Sequence, residues 1–323
     1  MIKVNLITGF LGSGKTTTIQ HLLKQKPQHE KWAVLINEFG EIGIDGALLA
    51  ETDAMIKEIS GGCMCCVNGL SMQVGLNMLI KQARPDRILI EPTGLGHPKQ
   101  ILNLLSSASY DSILQIGAAI CLLDARQLQD EKYRENENFR DQLAIADIIV
   151  ANKSEYYTDE TKQTLTCWQQ EYQPNSMLYV TSFGQLDWQL LNLPHINCVE
   201  IPAPLHHSHS SVSHLSQLVL PRQSPWRRAL NQGQGYFSCG WIFDADTVFT
   251  TTGLLEWIRL SPAERVKCVM RIPEGSLIVN RQGADLHIET RAVEPVDSRI
   301  EIIHATELNW NELQQLLLTL RSH

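Results

Sequence analysis

The sequence contains no apolar run that approaches the ~20 residues needed to cross a bilayer. The apolar stretch at residues 1–7 is too short for the hydrophobic region of a signal peptide. A glycine-rich loop, which the protein must retain, follows that stretch directly. We therefore expect a soluble, cytoplasmic protein that has no membrane partner.

An excess of basic charge is also missing. Lys and Arg together number 27 against 35 Asp and Glu, which gives a formal net charge of -8. Such a chain has no basic field with which to hold a phosphate backbone. Nucleic acid is therefore not expected as a partner, and the sequence shows no internal repeat.

Short runs rich in Val and Ile alternate with helical patterns through the first half of the chain. This alternation predicts an α/β fold with a mostly parallel sheet that helices cover on both faces. The predicted strands are 2–8, 32–37, 87–91, 118–124, 147–151 and 179–181, and the predicted helices are 15–24, 70–82, 98–107 and 138–146.

Two domains are expected, because 323 residues exceed the usual size of a single hydrophobic core. Residues 1–192 form the predicted nucleotide-binding domain. Residues 193–234, rich in Pro, His and Ser, read as a linker. Residues 235–323 contain strands that follow one another directly, which predicts a smaller α+β domain with an antiparallel sheet. Its predicted strands are 236–243, 266–272, 276–280, 286–289 and 299–304, and its predicted helices are 247–260 and 310–320.

Residues 9–16 match the phosphate-loop pattern G-x-x-x-x-G-K-[ST] between a predicted strand and a predicted helix. In such a loop, backbone N–H groups face the phosphates, Lys15 reaches the terminal phosphates and the Thr16 hydroxyl binds Mg²⁺. The alternative is a glycine-rich turn with an incidental lysine. The predicted nucleotide-binding residues of this segment are Gly9, Gly12, Ser13, Gly14, Lys15, Thr16 and Thr17.

A hydrolase of this kind also needs a carboxylate near the metal ion, at the end of a neighbouring strand. Glu91 ends an apolar run and is the candidate, while Gly94 could offer its N–H to the γ-phosphate. The alternative is a strand that merely stops at a charged residue. We assign Lys15 and Glu91 to catalysis.

The motif Asn152-Lys153-Ser154-Glu155 nearly fits the N-K-x-D pattern of guanine readers. In that pattern the carboxylate accepts the guanine N1 and N2 protons and the lysine packs on the ring. Glu155 stands where Asp is expected. Its extra methylene could be absorbed by movement of the loop, or it could relax the preference for guanine. The alternative is an ordinary polar loop after a strand.

Three cysteines, Cys63, Cys65 and Cys66, lie within four residues after a glycine pair. In a reducing compartment such a cluster predicts a metal or catalytic site rather than disulfides. Three thiolates suit Zn²⁺, Cu⁺ or an iron–sulfur cluster, and a tetrahedral ion would keep one open position. The alternatives are buried apolar cysteines or a redox sensor. The other five, which we interpret as small core residues, are Cys121, Cys167, Cys198, Cys239 and Cys268.

An acidic, glycine-rich segment at residues 37–46 suits a loop that orders around γ-phosphate and Mg²⁺. Glu38 and Glu41 are candidate metal ligands, and Asp45 is a candidate catalytic residue. The sequence does not show which of the three acids contacts Mg²⁺, which the attacking water and which the thiolate-bound metal. His97 could lie near the nucleotide or the metal, or it could be a loop histidine whose hydrogen bonds the backbone satisfies. The linker histidines, which could collect zinc or belong to a plain tether, are His206, His207, His209 and His214.

Taken together, the motifs at residues 9–16, 37–41, 61–66, 91–94 and 152–155 resemble those of the CobW-type metallochaperone GTPases of the SIMIBI class. Residues 36–41, 61–69 and 91–98 are most similar to the YeiR-like zinc-binding branch. The resemblance implies hydrolysis of GTP to GDP with Mg²⁺, Zn²⁺ bound through Cys-x-Cys-Cys, and a CobW C-terminal-like domain near residues 235–320. Ile36 departs from the pattern, because many relatives carry a Glu there that could be an accessory metal ligand.

The function expected from this resemblance is delivery of zinc to a client metalloprotein, or support of zinc homeostasis. Two alternatives remain open: a cobalt or nickel insertion GTPase, and a zinc store or sensor that delivers to no client. A homo-oligomer that depends on metal or nucleotide fits each of these functions.

Overall fold

The computed structural model describes residues 1–38, 54–60, 70–94, 98–196, 225–233 and 235–322. The chain divides into two compact units. Among the described residues, the first unit contains 1–38, 54–59, 70–94 and 98–196, and the second contains Ser60, 225–233 and 235–322. Every described helix is too short or too polar to span a bilayer.

A mostly parallel sheet forms the centre of the first unit. Its strand order is β3-β2-β4-β1-β6-β7-β8, with β5 beside β1. The pairs β2/β4, β4/β1, β1/β6, β6/β7 and β7/β8 are all parallel. The strands are β1 (Ile2–Gly9), β2 (Trp32–Glu38), β3 (Met55–Ser60), β4 (Arg87–Glu91), β5 (Leu114–Ile116), β6 (Ile120–Asp124), β7 (Ile148–Asn152) and β8 (Met177–Val180). The predicted α/β class is confirmed.

Helices cover both faces of this sheet because successive side chains of a strand point to opposite sides. Ile7 packs with Ile19 and Leu22 of α1 on one face, whereas Leu6 packs with Leu76 of α2 on the other. The described α-helices are α1 (Lys15–Lys24), α2 (Leu70–Ala83), α3 (Pro98–Leu105), α4 (Glu131–Arg134), α5 (Glu137–Ala144) and α6 (Asp159–Tyr172). Short 3₁₀ turns lie at Ala125–Gln129, Ser154–Tyr156 and Trp188–Asn192.

Helix α6 is absent from the sequence prediction because it has little apolar periodicity. It buries only Thr161 and Leu165. Its start nevertheless carries a usable signal, since Thr158 accepts a hydrogen bond from the Thr161 N–H and two acidic residues follow in the first turn. Strands β3 and β5 and helix α4 were also missed, and the last two are only three and four residues long.

The second unit is an antiparallel sheet with helices packed on it, as predicted. Its order is β13-β12-β11-β14-β10-β9. A core that includes Trp241, Phe249 and Leu317 joins the sheet to its helices. The elements are β9 (Trp226–Gly233), β10 (Tyr236–Phe243), α7 (Thr251–Leu260), β11 (Arg265–Ile272), β12 (Gly275–Gln282), β13 (Asp285–Arg291), β14 (Ser298–His304) and α8 (Trp310–Thr319).

The linker predicted for residues 193–234 is wrong at both of its ends. Residues 226–233 form β9, which pairs along its whole length with β10. At the other end, the Ala118 N–H donates to the Leu193 carbonyl. The buried Asp147 carboxylate accepts the Ile196 N–H at 2.8 Å and lies 2.7 Å from Nδ1 of His195. Residues 197–224, with the four linker histidines and Cys198, lie outside the described residues.

Candidate functional site: a phosphate loop and a base motif

The candidate site lies where the strand order of the parallel sheet changes direction. Strand β1 has β4 on one side and β6 on the other, so a crevice opens beyond their carboxyl ends. The loop of residues 9–16 leaves β1 at this crevice and enters α1. Ligands of open α/β sheets bind at such a switch point.

The backbone of this loop suits an anion. Gly14 has φ 101°, a conformation that favours glycine, and a Cβ added there would overlap the Asn152 amide. No side chain caps the start of α1, and its first turn contains no acidic residue. The N–H groups at this helix end therefore remain suited to phosphate, together with the positive end of the helix dipole.

Two side chains of the loop are prepared for phosphate. The Lys15 side chain is buried, and its ammonium donates to the Gly9 carbonyl at 2.9 Å and to the Phe10 carbonyl at 3.4 Å. The Ser13 hydroxyl is fully buried and has no hydrogen-bond partner within the described part of the chain. A bound phosphate would supply acceptors for both groups, since buried polar atoms need partners. The residues therefore fit a nucleotide phosphate.

The Mg²⁺ candidates lie together. The Thr16 hydroxyl, in the first turn of α1, donates to Oε1 of Glu91 at 2.9 Å, and Glu91 is buried at the end of β4. A hydroxyl and a carboxylate are the oxygen ligands that Mg²⁺ prefers. Thr17 follows in the same helical turn and is half-buried.

The backbone after Glu91 packs tightly against the phosphate loop. An added Cβ at Gly94 would lie 2.9 Å from the Leu11 nitrogen, so only glycine fits this approach. The Gly94 carbonyl accepts the side-chain N–H of Gln142, on α5, at 2.9 Å. Residues 91–94 are thus fixed between the phosphate loop and α5.

Residues 152–155, the candidate guanine-reading motif, are called the base motif below. Its first residue, Asn152, connects it to the phosphate loop. It ends β7 and is buried, and its side-chain N–H donates to the Ser13 carbonyl at 2.9 Å. Its Oδ1 accepts the Gly184 N–H at 2.8 Å. This one amide therefore holds together the phosphate loop, the end of β7 and the loop after β8. Gln142 and Gly184 do not appear among the residues predicted from sequence.

Asp124 and Tyr157 also fix the base motif, from the side of β6. Lys153 has φ 64°, and its ammonium lies 3.7 Å from the carboxylate of the buried Asp124. The Tyr157 hydroxyl accepts the Ala125 N–H at 2.8 Å and donates to the Asn152 carbonyl. Burial raises the pKa of the Tyr157 phenol, which keeps it a hydrogen-bond donor. Glu155 itself is exposed in the short 3₁₀ turn.

The sequence signals Asp124 more strongly than Tyr157. Asp124 ends a fully buried strand next to β1, as Glu91 does on the other side, so the same argument could have found it. Tyr157 lies beyond the motif in a loop, and no local pattern predicts its contacts.

The proposed metal ligands are mostly outside the described residues. This applies to Cys63, Cys65, Cys66 and Glu41 and to the side chain of Glu38. The catalytic candidate Asp45 and His97 also lie outside the described residues. Within the described ranges, no three His, Cys, Asp or Glu side chains group closely enough to hold a metal ion.

Among the four isolated cysteines that the structure describes, three follow the sequence prediction and one does not. Cys121, Cys239 and Cys268 are buried, and burial raises the pKa of each thiol to about 12, as expected for inert core residues. Cys167 was also predicted to be a core residue, and this is wrong. It is exposed, because it lies on the solvent side of α6.

A phosphate loop at the switch point of a parallel sheet, with Glu91 facing Thr16, defines a P-loop nucleotide-binding protein. Residues 3–179 match the model of the CobW/HypB/UreG nucleotide-binding domain, and the chain belongs to that family.

Curated relatives agree with this family membership. The chain is 61% identical over 323 residues to the zinc chaperone YeiR of Escherichia coli K12. The alignment covers 99% of this chain and 98% of YeiR. It is 30% identical over 185 residues to the zinc chaperone CobW of Pseudomonas aeruginosa, covering 48% of this chain and 49% of that protein. The fold was also compared with the crystal structure of Zn(II)-bound YjiA GTPase from Escherichia coli. The superposition covers 99% of this chain and 99% of that chain, with 19% identity and a TM-score of 0.43.

Proposed function

We propose that this protein is a GTP-hydrolysing zinc metallochaperone, whose Mg·GTP cycle is coupled to zinc held by the Cys-x-Cys-Cys motif. The observation that carries the proposal is the Thr16–Glu91 contact of 2.9 Å beside the buried Lys15, which puts a metal-ligand pair and a cation at one phosphate loop. Near-full-length similarity to a zinc chaperone supports the choice of metal.

Within this proposal Lys15, Thr16, Glu91 and Gly94 each have a role in hydrolysis. Lys15 exchanges its two carbonyl partners for the terminal phosphate oxygens and stabilises the charge that develops on the transferring phosphoryl group. Thr16 and Glu91 would hold Mg²⁺, which would supply positive charge against the phosphates. Gly94 offers its N–H to the γ-phosphate, at a position that Gln142 fixes.

Base recognition belongs to Asn152, Lys153 and Glu155. Asn152 holds the motif against the phosphate loop, Lys153 packs on the ring and Glu155 accepts the guanine protons. The exposed position of Glu155 supports this role, because its carboxylate is accessible to a ligand.

Zinc is the cargo in this proposal. Cys63, Cys65 and Cys66 bind it as thiolates. In the neighbouring acidic segment, Glu38 and Glu41 are further candidate metal ligands and Asp45 is a candidate catalytic residue. Soft thiolates suit Zn²⁺, and they stay reduced in the cytoplasm, where we place the protein and its client metalloprotein. Residues 1–196 contain the GTPase domain, and the unit from residue 225 is the C-terminal domain.

Phosphate release tests the enzymatic part directly. The purified protein should release phosphate from GTP in the presence of Mg²⁺, and chelation of Mg²⁺ should stop the release. A protein that binds zinc but shows no Mg²⁺-dependent hydrolysis of GTP would overturn the proposal and favour a zinc store. The delivery step has a test of its own. When the protein is held in its GTP-bound state and used for affinity capture under zinc starvation, it should retain a client metalloprotein.

The Glu155→Asp substitution is expected to increase the preference for GTP over ATP. The shorter side chain restores the usual guanine reader, and discrimination depends on fully paired polar groups. The ratio of kcat/KM for the two nucleotides measures this preference. Glu160→Asp is a matched control, because Glu160 is also exposed and lies in the first turn of α6. If wild type and Glu155→Asp both hydrolyse GTP and ATP equally well, Glu155 is not a base-reading residue.

A further inference from the structure

Strand β13 lies at an edge of the antiparallel sheet. Among the described strands only β12 pairs with it, and this pairing runs without a break from Asp285 to Arg291. Edge strands are usually protected by a bulge, a proline or a lysine, because their outer backbone groups could pair with another chain. β13 contains none of these three features. Its edge is also accessible, since His287, Ile288 and Thr290 are exposed.

The turn before β13 determines which of its backbone groups point away from the sheet. Residues 283–284 form a two-residue hairpin loop between β12 and β13, and Gly283 has φ 56°. The residues that flank such a loop, Gln282 and Asp285, form a hydrogen-bonded pair, and hydrogen-bonded and non-hydrogen-bonded pairs then alternate along the ladder. The residues whose N–H and C=O groups face outward are therefore Leu286, Ile288 and Thr290.

The charges of β13 are complementary about Ile288. Asp285 lies three residues before Ile288 and Arg291 three residues after it, and His287 and Glu289 are its two neighbours. These four side chains share one face of the sheet, and the Arg291 Nε donates to Oε1 of Glu289 at 2.7 Å. If two β13 strands pair antiparallel about Ile288, Asp285 lies opposite Arg291 of the second copy. His287 likewise lies opposite Glu289.

The backbone fits the same centre. Pairing about Ile288 places its outward groups opposite those of its own copy, and places Leu286 opposite Thr290, so each of these pairs can exchange two N–H···O=C bonds. The charged residues then fall at the non-hydrogen-bonded positions, where side chains on neighbouring strands lie closest. On the other face of the strand, Ile288, which is 37% exposed, would be covered by its own copy.

Other registers are disfavoured by the same side chains. A slide of two residues in one direction places Glu289 opposite Glu289, and a slide in the other direction places Asp285 opposite Glu289. Like charges directly opposite each other destabilise a strand pair. A slide of one residue would place outward backbone groups opposite groups that already bond to β12. The register centred on Ile288 is thus selected by charge and by the backbone together.

Strand β9, at the other edge of the sheet, lacks this complementarity. It contains Arg227 and Arg228 but no acidic residue. Two copies of β9 would therefore gain no charge pairs. The arrangement in β13 is a property of that strand and not of the edges of this sheet in general.

We propose that two copies of this chain associate through their β13 strands, which join the two antiparallel sheets into one across a two-fold axis. The interface uses the same patch on both copies, so it closes at a dimer. A single strand pair buries less area than a standard protein interface, and the dimer is therefore weak and depends on protein concentration. Neither zinc nor nucleotide takes part in it, so this inference does not depend on the proposed function.

Sedimentation equilibrium of the full chain in EDTA, without nucleotide, should show a reversible equilibrium between monomer and dimer. Arg291→Asp and Asp285→Arg each place like charges opposite each other at both ends of the strand pair, so each should weaken self-association about 10- to 100-fold. Arg259→Asp makes the same change of charge at an exposed position on α7 and should leave the dimer unchanged.

A mixture of the two charge variants gives the sharper test. In a mixed dimer every substituted residue faces an opposite charge, so equimolar Arg291→Asp and Asp285→Arg should associate with about the wild-type affinity. Loss of folding cannot produce this recovery. Thr290→Pro removes an outward N–H and should abolish self-association, whereas Thr290→Ala keeps that N–H and should retain it. Thermal unfolding checks that each variant is folded.

A wild-type protein that stays monomeric at every concentration would overturn the inference and leave the β13 edge to a strand of another protein. Wild-type self-association of the folded Arg291→Asp variant would also overturn it, because the dimer would then use another surface. So would a mixture of the two folded charge variants in which no heterodimer forms.

Discussion

Replacing Lys15 with alanine is expected to abolish GTP hydrolysis while zinc binding survives. The ammonium is buried in the phosphate loop, within 2.9 Å of the Gly9 carbonyl, and is thus positioned for the terminal phosphate. Its loss removes charge stabilisation that acts in the transition state, and removal of one such donor costs about 10²- to 10³-fold in kcat. Phosphate release under saturating Mg·GTP measures the effect.

The control for this variant is Lys162→Ala. Lys162 lies on α6 with 61% of its side chain exposed, where its ion pair with Asp159 contributes little. The Lys162→Ala protein should hydrolyse GTP at the wild-type rate. Thermal unfolding of Lys15→Ala checks that the loop survives loss of the ammonium. A folded Lys15→Ala protein with wild-type turnover would show that the phosphate loop is not the catalytic site.

The parts of the candidate site whose positions could be expected from sequence are those that depend on local spacing. The phosphate loop needs glycines, a lysine and a threonine at fixed offsets, and β1 and α1 flank it as the motif requires. Glu91 could be predicted because a buried parallel strand must deliver its last side chain to the same edge of the sheet as the loop. The Thr16–Glu91 contact follows from that topology.

The missed parts depend on contacts between segments far apart in sequence. Gln142 reaches Gly94 across 48 residues, and Tyr157 joins the ends of β6 and β7 from a loop that has no motif. Gly184 was missed for a different reason. It lies in a turn of residues 182–185, and Ser-Phe-Gly-Gln does not carry the Asn-Gly signal of a type I′ turn, so only the backbone reveals that the turn exists. Strand β9 was missed because it directly follows a stretch rich in Pro, His and Ser.

The second large effect is expected for zinc. Replacing Cys63, Cys65 and Cys66 together with Ser should remove the tight zinc site and leave Mg·GTP binding intact, because the phosphate loop is a separate element. Cys167→Ser provides the matched control, since Cys167 is an exposed, isolated thiol outside the motif. It should bind zinc as the wild type does. A tight site that survives the triple substitution would refute the Cys-x-Cys-Cys assignment, and the histidines of residues 206–214 would then be the next candidates.

Zinc and nucleotide should also alter each other's affinity, because the cysteine and acidic segments lie in the chain between α1 and β4, the elements that carry Thr16 and Glu91. Coupling of this kind is typically ~1–3 kcal/mol, or about 5- to 150-fold in affinity, and is reciprocal. Zinc titrations of the wild-type protein with GDP and with a non-hydrolysable GTP analogue measure it. Since zinc binds deprotonated thiolates, its affinity should fall as the pH drops, and binding should release protons. Identical zinc affinities in the two nucleotide states would refute a nucleotide-driven delivery cycle, because hydrolysis could not then change how tightly the cargo is held.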